Sequence, residues 1–266
     1  MNSFEIYLQE NNYSANTIRS YLYAVRQCKS MYSELTHSSL TGYREYLLRH
    51  YSVSTANIRI NAVNTYLAFL GSDVPHMKVV KTGQKQFYDD IITDNEYRLL
   101  KAALYQERDR RDYFLVRILT STGMRVSELL TIEADDIRCG YKDVVSKGNK
   151  MRRVYFPKRM RREAEEWLRW SRIVHGKIFR NRKGLPLTQS GIRFILRQSA
   201  ERYGIPPGHV HPHAFRHRYA LNFLQQNSDI TLLADLLGHE NIETTRLYLK
   251  RTQEEQRRIV DEIVNW

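Results

Sequence analysis

Residues 143–156 read Asp143-Val144-Val145-Ser146-Lys147-Gly148-Asn149-Lys150-Met151-Arg152-Arg153-Val154-Tyr155-Phe156. Asp143-Val144-Val145 and Arg153-Val154-Tyr155-Phe156 are β-prone runs on either side of Lys147-Gly148-Asn149-Lys150. Gly-Asn is a hairpin turn signal, so the stretch predicts two antiparallel strands with a lysine-bearing tip. Most of the chain around it has helical period instead. Upstream, Tyr113 to Leu119 is an apolar helix, and Thr93-Asp94-Asn95-Glu96 has capping-box spacing ahead of Leu99, Leu100 and Leu104. Downstream, Lys177-Ile178-Phe179 is a candidate third strand, with residues 180–184 as its turn. From Gln189 the pattern is helical almost to the end, broken by Gly204-Ile205-Pro206-Pro207-Gly208. The expected fold is mainly α with a small antiparallel β-sheet.

The first 71 residues read as short amphipathic helices. Phe4, Tyr7 and Leu8 share one helical face, as do Ile18, Tyr21, Leu22 and Val25, and Ser14 stands where it can cap the second helix. A later helix carries Ile58, Ile60, Val63, Tyr66, Leu67 and Leu70 and ends near Gly71. Residues 72–91 change character, with Pro75, Gly83, Lys78, Lys81 and Lys85, and read as a basic linker. Three parts follow: a helical domain over 1–71, the linker over 72–91, and a mixed domain over 92–266.

The 266 residues carry 42 Lys and Arg against 29 Asp and Glu, a net charge of +13. Such an excess favours a polyanionic partner, because each cation that meets a phosphate releases condensed counterions. The two cysteines, Cys28 and Cys139, form no CxxC pair and support neither a disulfide framework nor a thiolate metal site. The first residues show no signal-peptide pattern. No stretch approaches the roughly 20 apolar residues that span a bilayer. A cytoplasmic protein is expected.

Four segments hold reactive side chains: Thr122 to Leu129 (TGMRVSEL), Ser146 to Lys150, His213-Ala214-Phe215-Arg216-His217, and Leu236-Leu237-Gly238-His239, with Tyr248 nine positions after His239. Taken singly, each has an ordinary explanation. Tyr248 is one of 18 tyrosines. Arg125 can pair with Glu128 on the same helix face. Lys147 can be a solvated hairpin lysine, and a buried histidine is usually a satisfied polar group. Together they can break a phosphodiester without a metal. Guanidinium groups stay charged and bind non-bridging oxygens in pairs. A phenol, with a pKa of about 10, becomes a nucleophile when its proton is taken or its anion is stabilised. A lysine or histidine can protonate the departing oxygen.

In this order the four segments closely resemble the tyrosine recombinase (phage integrase) family, Xer-like members included. TGMRVSEL is similar to that family's first arginine motif and SKGNKMRRV to its hairpin lysine motif. HAFRH is similar to its His-x-x-Arg box and LLGHENIETTRLY to its closing histidine and nucleophile segment. The match runs from about residue 93 to 250. The N-terminal SANTIRSYLYAV is similar to the family's helical core-binding domain, on weaker motifs.

The resemblance implies a two-domain fold, a core-binding domain followed by a mixed α/β catalytic domain that close around DNA. It implies that Arg125 and Arg216 clamp the scissile phosphate and that Lys147 protonates the 5′-oxygen. His213 would assist proton transfer, His239 would bind a phosphate oxygen, and Glu128 would orient the site around Arg125. Tyr248 would attack to leave a 3′-phosphotyrosyl link and a free 5′-hydroxyl, with neither cofactor, ATP nor metal. Ser146 replaces the family's usual glycine and Phe215 its usual leucine, which bears on packing and turn geometry rather than on reacting groups. Lys150 competes with Lys147 for the hairpin role, and the motif register favours Lys147.

Arg19, Arg59, Lys78, Lys81, Lys85 and Lys150 are candidate DNA contacts. His209, His211, His213 and His217 lie close enough to suggest a metal cluster, but Pro212 interrupts them and no Cys or carboxylate lies among them. The apolar stripe Ile259, Val260, Ile263 and Val264 behind a charged run reads as a terminal helix, which can pack on its own domain; the resemblance implies, and favours, docking on a neighbouring subunit. The implied partners are double-stranded DNA and three further copies of the chain. No separate arm-binding domain is expected before the first helix, which favours dimer resolution, inversion or mobile-element work. Two other readings stay open: a catalytically silent DNA-binding regulator of the same fold, and a nicking-closing enzyme related to type IB topoisomerases.

Overall fold

The computed structural model describes residues 2–81, 91–107, 110–145 and 151–239, together with Ile242, Thr245 and Asp261. The chain divides into two compact units, Met1–Lys85 and Gln86–Trp266.

The first unit is built from α1 (Asn2–Glu10), α2 (Ala15–Met31), α3 (His37–His50) and α4 (Val53–Phe69). Ser14 accepts a hydrogen bond from the Thr17 amide at 3.2 Å, and Thr36 and Ser52 cap α3 and α4 in the same way. These hydroxyls satisfy amides that the first helical turn leaves without a carbonyl. Phe4, Leu8, Leu22, Val25, Leu47, Ile60 and Leu67 fill the core, with Phe4 edge-on to Tyr66 at 4.9 Å. Past Gly71, part of the basic stretch is tied to α4. Asn64 pairs with both backbone groups of Met77, at 2.9 Å each, and Asn57 does the same with Val80 at 2.9 and 2.8 Å. Residues 57 and 64 stand two turns apart on one helix face, so α4 reads this segment's backbone like the edge of a strand. The Met77 side chain is buried there.

The second unit holds α5 (Asp94–Gln106), α6 (Arg111–Thr122), α7 (Val126–Leu129), α8 (Ala134–Cys139), β1 (Tyr141–Val145) and β2 (Met151–Tyr155). Next come α9 (Lys158–Trp170), α10 (Gln189–Arg202), α11 (Pro212–Gln226) and α12 (Ile230–Leu237). The expected capping box forms, Thr93 and Glu96 each bonding the other's amide. The core is centred on α6, which buries Tyr113, Phe114, Leu115, Val116, Ile118 and Leu119. Helices α5, α9 and α11 pack around it, and Phe114 stacks on Trp167 at 4.8 Å.

Strands β1 and β2 pair antiparallel, with Val144 opposite Arg152 and Asp143 opposite Arg153. Among the described residues they form the whole sheet. The expected third strand is corrected here. Within residues 177–179 Lys177 makes one isolated bridge, to Glu133, and the next residue, Arg180, makes another to Pro186. Ile178 and Phe179 are apolar because they plug the core from a loop, and short apolar runs do not distinguish these two cases. The result is a mainly helical molecule with a small antiparallel sheet.

One glycine fixes the turn from α6 to α7. Gly123 has φ +61°, and a Cβ there would lie 2.4 Å from Tyr219 Cδ1 and 2.8 Å from Leu237 Cδ2. Gly123→Ala adds left-handed strain and overpacking, so it should destabilise the second unit by about 2–4 kcal/mol. Thermal denaturation checks this: the variant should melt at least roughly 5 °C below the parent, and equal melting would contradict it.

Candidate active site

Arg216 stands on the buried face of α11, with 5% of its surface exposed. Its Nη1 donates to the carbonyl of Gly123 and its Nη2 to that of Leu237, both at 2.7 Å. These carbonyls lie at the C-terminal ends of α6 and α12, where helix carbonyls lack intrahelical donors and partial negative charge collects. One guanidinium therefore ties together two helix ends and the segment between α6 and α7.

Arg125 arrives at the same place from the other side. It occupies the N-cap of α7, and its Nη2 donates to the carbonyl of Gly238 at 3.1 Å. Leu237 and Gly238 are successive residues, so two arginines 91 positions apart in sequence converge on one turn of backbone. Arg125 also pairs with Glu128, Nη1 to Oε1 at 3.1 Å, and its own amide donates to Glu128 Oε2 at 2.7 Å. The local pairing expected for Arg125 thus exists. The Arg125 side chain remains 37% exposed, whereas that of Glu128 is 8% exposed.

Sequence reasoning missed Arg152. It projects from β2 and donates from Nη2 to Glu128 Oε2 at 2.8 Å. The signal was present in the alternation of β2. Val154 points inward, so Arg152, two positions away, shares its face, while Arg153 turns outward to Asp143. An inward arginine calls for a carboxylate, and Glu128 is that carboxylate. Three guanidinium groups against one carboxylate leave two positive charges in excess.

Two of the predicted histidines stand among these cations. His239 directly follows the turn that the arginines hold, and its Nδ1 shares a 2.7 Å hydrogen bond with the hydroxyl of buried Thr245. Burial first, then Arg216, Arg125 and Arg152, lower its pKa to about 4. His213 is open to solvent, yet partial desolvation, then His211, Arg216, Arg193 and Arg125, hold its pKa below the ordinary histidine value. Both rings are therefore neutral at pH 7, able to accept a proton or to donate from one nitrogen. His209 pairs with Glu96 at 3.0 Å and His211 accepts from the Ala214 amide as the α11 cap. Among the described residues no group of His, Cys, Asp and Glu is placed to hold a metal.

The remaining candidates divide. Lys147, Lys150, Lys85 and Tyr248, and the terminal stripe Ile259, Val260, Ile263 and Val264, lie outside the described residues. In the first unit Arg19 is exposed on α2 and shares an open groove with Asn16, Tyr23, Thr55, Ile58 and Arg59. Arg59 is more committed: it stacks on Tyr51 at 3.9 Å, faces Tyr23 at 5.0 Å and donates to Gln27. Lys78 and Lys81 are exposed, the former with its carbonyl held by Arg44 Nε at 2.9 Å.

In sequence and in fold the chain is similar to known proteins. The profile of the phage integrase family covers residues 90–255. The chain is 29% identical over 272 residues to the tyrosine recombinase XerC of Staphylococcus haemolyticus, covering 94% of this chain and 91% of that one. It is also 29% identical over 263 residues to the tyrosine recombinase XerA of Thermococcus kodakarensis, covering 96% and 92%. In fold it is similar to the XerH site-specific recombinase bound to its difH substrate, with TM-score 0.76, 18% identity and coverage of 96% and 81%. A lambda integrase fragment bound to a core site is similar too, with TM-score 0.72, 16% identity and coverage of 94% and 93%. The match over residues 90–255 places this chain in the phage integrase family of tyrosine recombinases.

Proposed function

We propose that the chain is a site-specific DNA recombinase that cuts and rejoins strands through a 3′-phosphotyrosyl link at Tyr248. The observation that carries the reading is the convergence of Arg125 and Arg216 on the successive carbonyls of Leu237 and Gly238, beside His239. In-line attack on a phosphodiester raises the charge on its non-bridging oxygens from one toward two. The two excess positive charges of the site match that change, so the site stabilises the transition state more than the ground state.

In the forward step the Tyr248 oxygen bonds to phosphorus while the bond to O5′ breaks. The phenolic proton leaves with the help of His213, whose neutral ring can take it. The O5′ atom receives a proton from the Lys147 ammonium. His239, anchored through Nδ1 by Thr245, donates to a phosphate oxygen. The partner strand's 5′-hydroxyl then reverses these transfers, and the phosphotyrosine keeps the bond energy. Four subunits around two duplexes, joined through the terminal helix, complete strand exchange, and the first unit contacts DNA through Arg19 and its neighbours. The biological outcome is integration, excision, inversion or dimer resolution.

Incubation with nicked suicide duplexes tiled across the genomic neighbourhood of the gene tests this. A covalent adduct should form on a discrete site, and peptide mapping should place the phosphate on Tyr248. Efficient supercoil relaxation on any DNA without strand exchange would point to a nicking-closing enzyme instead. Specific binding with no adduct on any fragment would point to a silent regulator.

A further inference from the structure

We infer that Arg152 is a positioning residue of the cleavage reaction, holding Glu128 so that Glu128 aims Arg125 at the scissile phosphate. This rests on the proposed function above. The Arg152 side chain is only 9% exposed. Its Nη2 binds Glu128, yet its Nε and Nη1 are buried with no hydrogen-bond partner among the described residues. Burying a guanidinium with most of its donors unused is expensive. Glu128 already has a cation in Arg125, so neutralising the carboxylate does not call for a second. An apolar side chain would fill this inward face of β2 at lower cost, which makes stability a poor reason for an arginine here.

Geometry supplies another reason. Glu128 Oε2 accepts from both Arg152 Nη2 and the Arg125 amide, and its Oε1 accepts from Arg125 Nη1. With Oε2 held from the β2 side, rotation of the carboxylate is restricted, and Oε1 stays aimed at the Arg125 guanidinium. The same strand packs against α12, whose end holds Arg125 and Arg216.

The test compares parent, Arg152→Gln and Arg152→Lys in single-turnover adduct formation. The probe is a nicked suicide duplex cut from the fragment on which the parent forms its adduct. A second duplex carries a neutral methylphosphonate at the scissile position, and DNA affinity is followed by fluorescence anisotropy. Arg152→Gln should slow cleavage of the phosphodiester about 10- to 100-fold with affinity within about threefold. Arg152→Lys, which keeps the charge without the fork, should recover part of the rate. On the methylphosphonate, whose transition state carries one negative charge on a single non-bridging oxygen and so makes less use of a closely aimed fork, the Arg152→Gln penalty should shrink to about threefold or less. A variant cleaving the phosphodiester at the parent rate, or losing equally on both duplexes, overturns the inference. If Arg152→Gln does not fold, Arg152→Lys carries the same comparison, with an expected loss of about 3- to 10-fold on the phosphodiester alone. A parent that forms no adduct on any fragment sinks the functional reading itself, and this inference with it.

Discussion

Tyr248→Phe is expected to bind target DNA with the parent's affinity, within about threefold, and to form no covalent adduct. The change removes one oxygen. Phosphate affinity comes from arginine and lysine contacts, which it leaves alone, while no bond to phosphorus can form without the nucleophile. The rate should fall below detection, beyond the roughly 10²–10³-fold typical of losing one electrostatic contact. The informative control is Tyr219→Phe. Tyr219 lies close enough to Arg152 and Arg216 to feel their charge, and cations beside a phenol favour its anion. Burial against Gly123 and Leu237 outweighs them, so its pKa is raised and its proton stays on. It is a wedge for the α6–α7 turn, and its ring does that work without the hydroxyl. Tyr219→Phe should therefore cleave within about threefold of the parent. Gel-shift affinity and denaturing-gel adduct assays separate the two variants. An adduct from Tyr248→Phe that is lost in Tyr219→Phe would move the nucleophile to residue 219.

The local elements of this fold were legible because local chemistry dictates them. Ser14, Thr93 with Glu96, and the hairpin around residues 147–150 are short-range signals, and the caps and the strand pair stand where these signals place them. Residues 177–179 misled because Ile178 and Phe179 are apolar for burial, not for pairing. The arginines were legible as types at motif positions, but their meeting point was not. Arg125 and Arg216 are joined by carbonyls of Leu237 and Gly238, and backbone acceptors leave no trace in side-chain identity. Arg152 was overlooked because Arg153 beside it looks identical in a one-dimensional reading; only the pleat of β2 turns one toward Glu128 and the other toward Asp143. The four-histidine run has contacts that its sequence does not show. That His211 caps a helix and His209 holds Glu96 needed the three-dimensional contacts.

Arg216→Lys should lose stability and activity together, and Arg125→Lys activity alone. The difference follows from burial. Arg216 spans the carbonyls of Gly123 and Leu237 with two separate nitrogens inside the second unit. A lysine carries one ammonium on a flexible stem and cannot bridge both, so a buried carbonyl loses its donor at about 1–3 kcal/mol. Repacking around the shorter head adds to this, for a total of about 2–4 kcal/mol. Arg125 is over a third exposed, so water can replace what its lysine fails to reach, and the stability cost should stay below about 1 kcal/mol. In the proposed phosphate clamp each change removes a guanidinium, so adduct formation should slow about 10²–10³-fold in both variants. Urea denaturation followed by circular dichroism gives the first quantity, and single-turnover cleavage on a suicide duplex gives the second. Equal denaturation midpoints for Arg216→Lys and the parent would mean that the two helix ends are not held by this guanidinium. Parental cleavage by Arg125→Lys would mean that the phosphate is bound elsewhere. The combination expected here, one variant crippled twice and the other once, separates an arginine that builds the site from one that the site presents to its substrate.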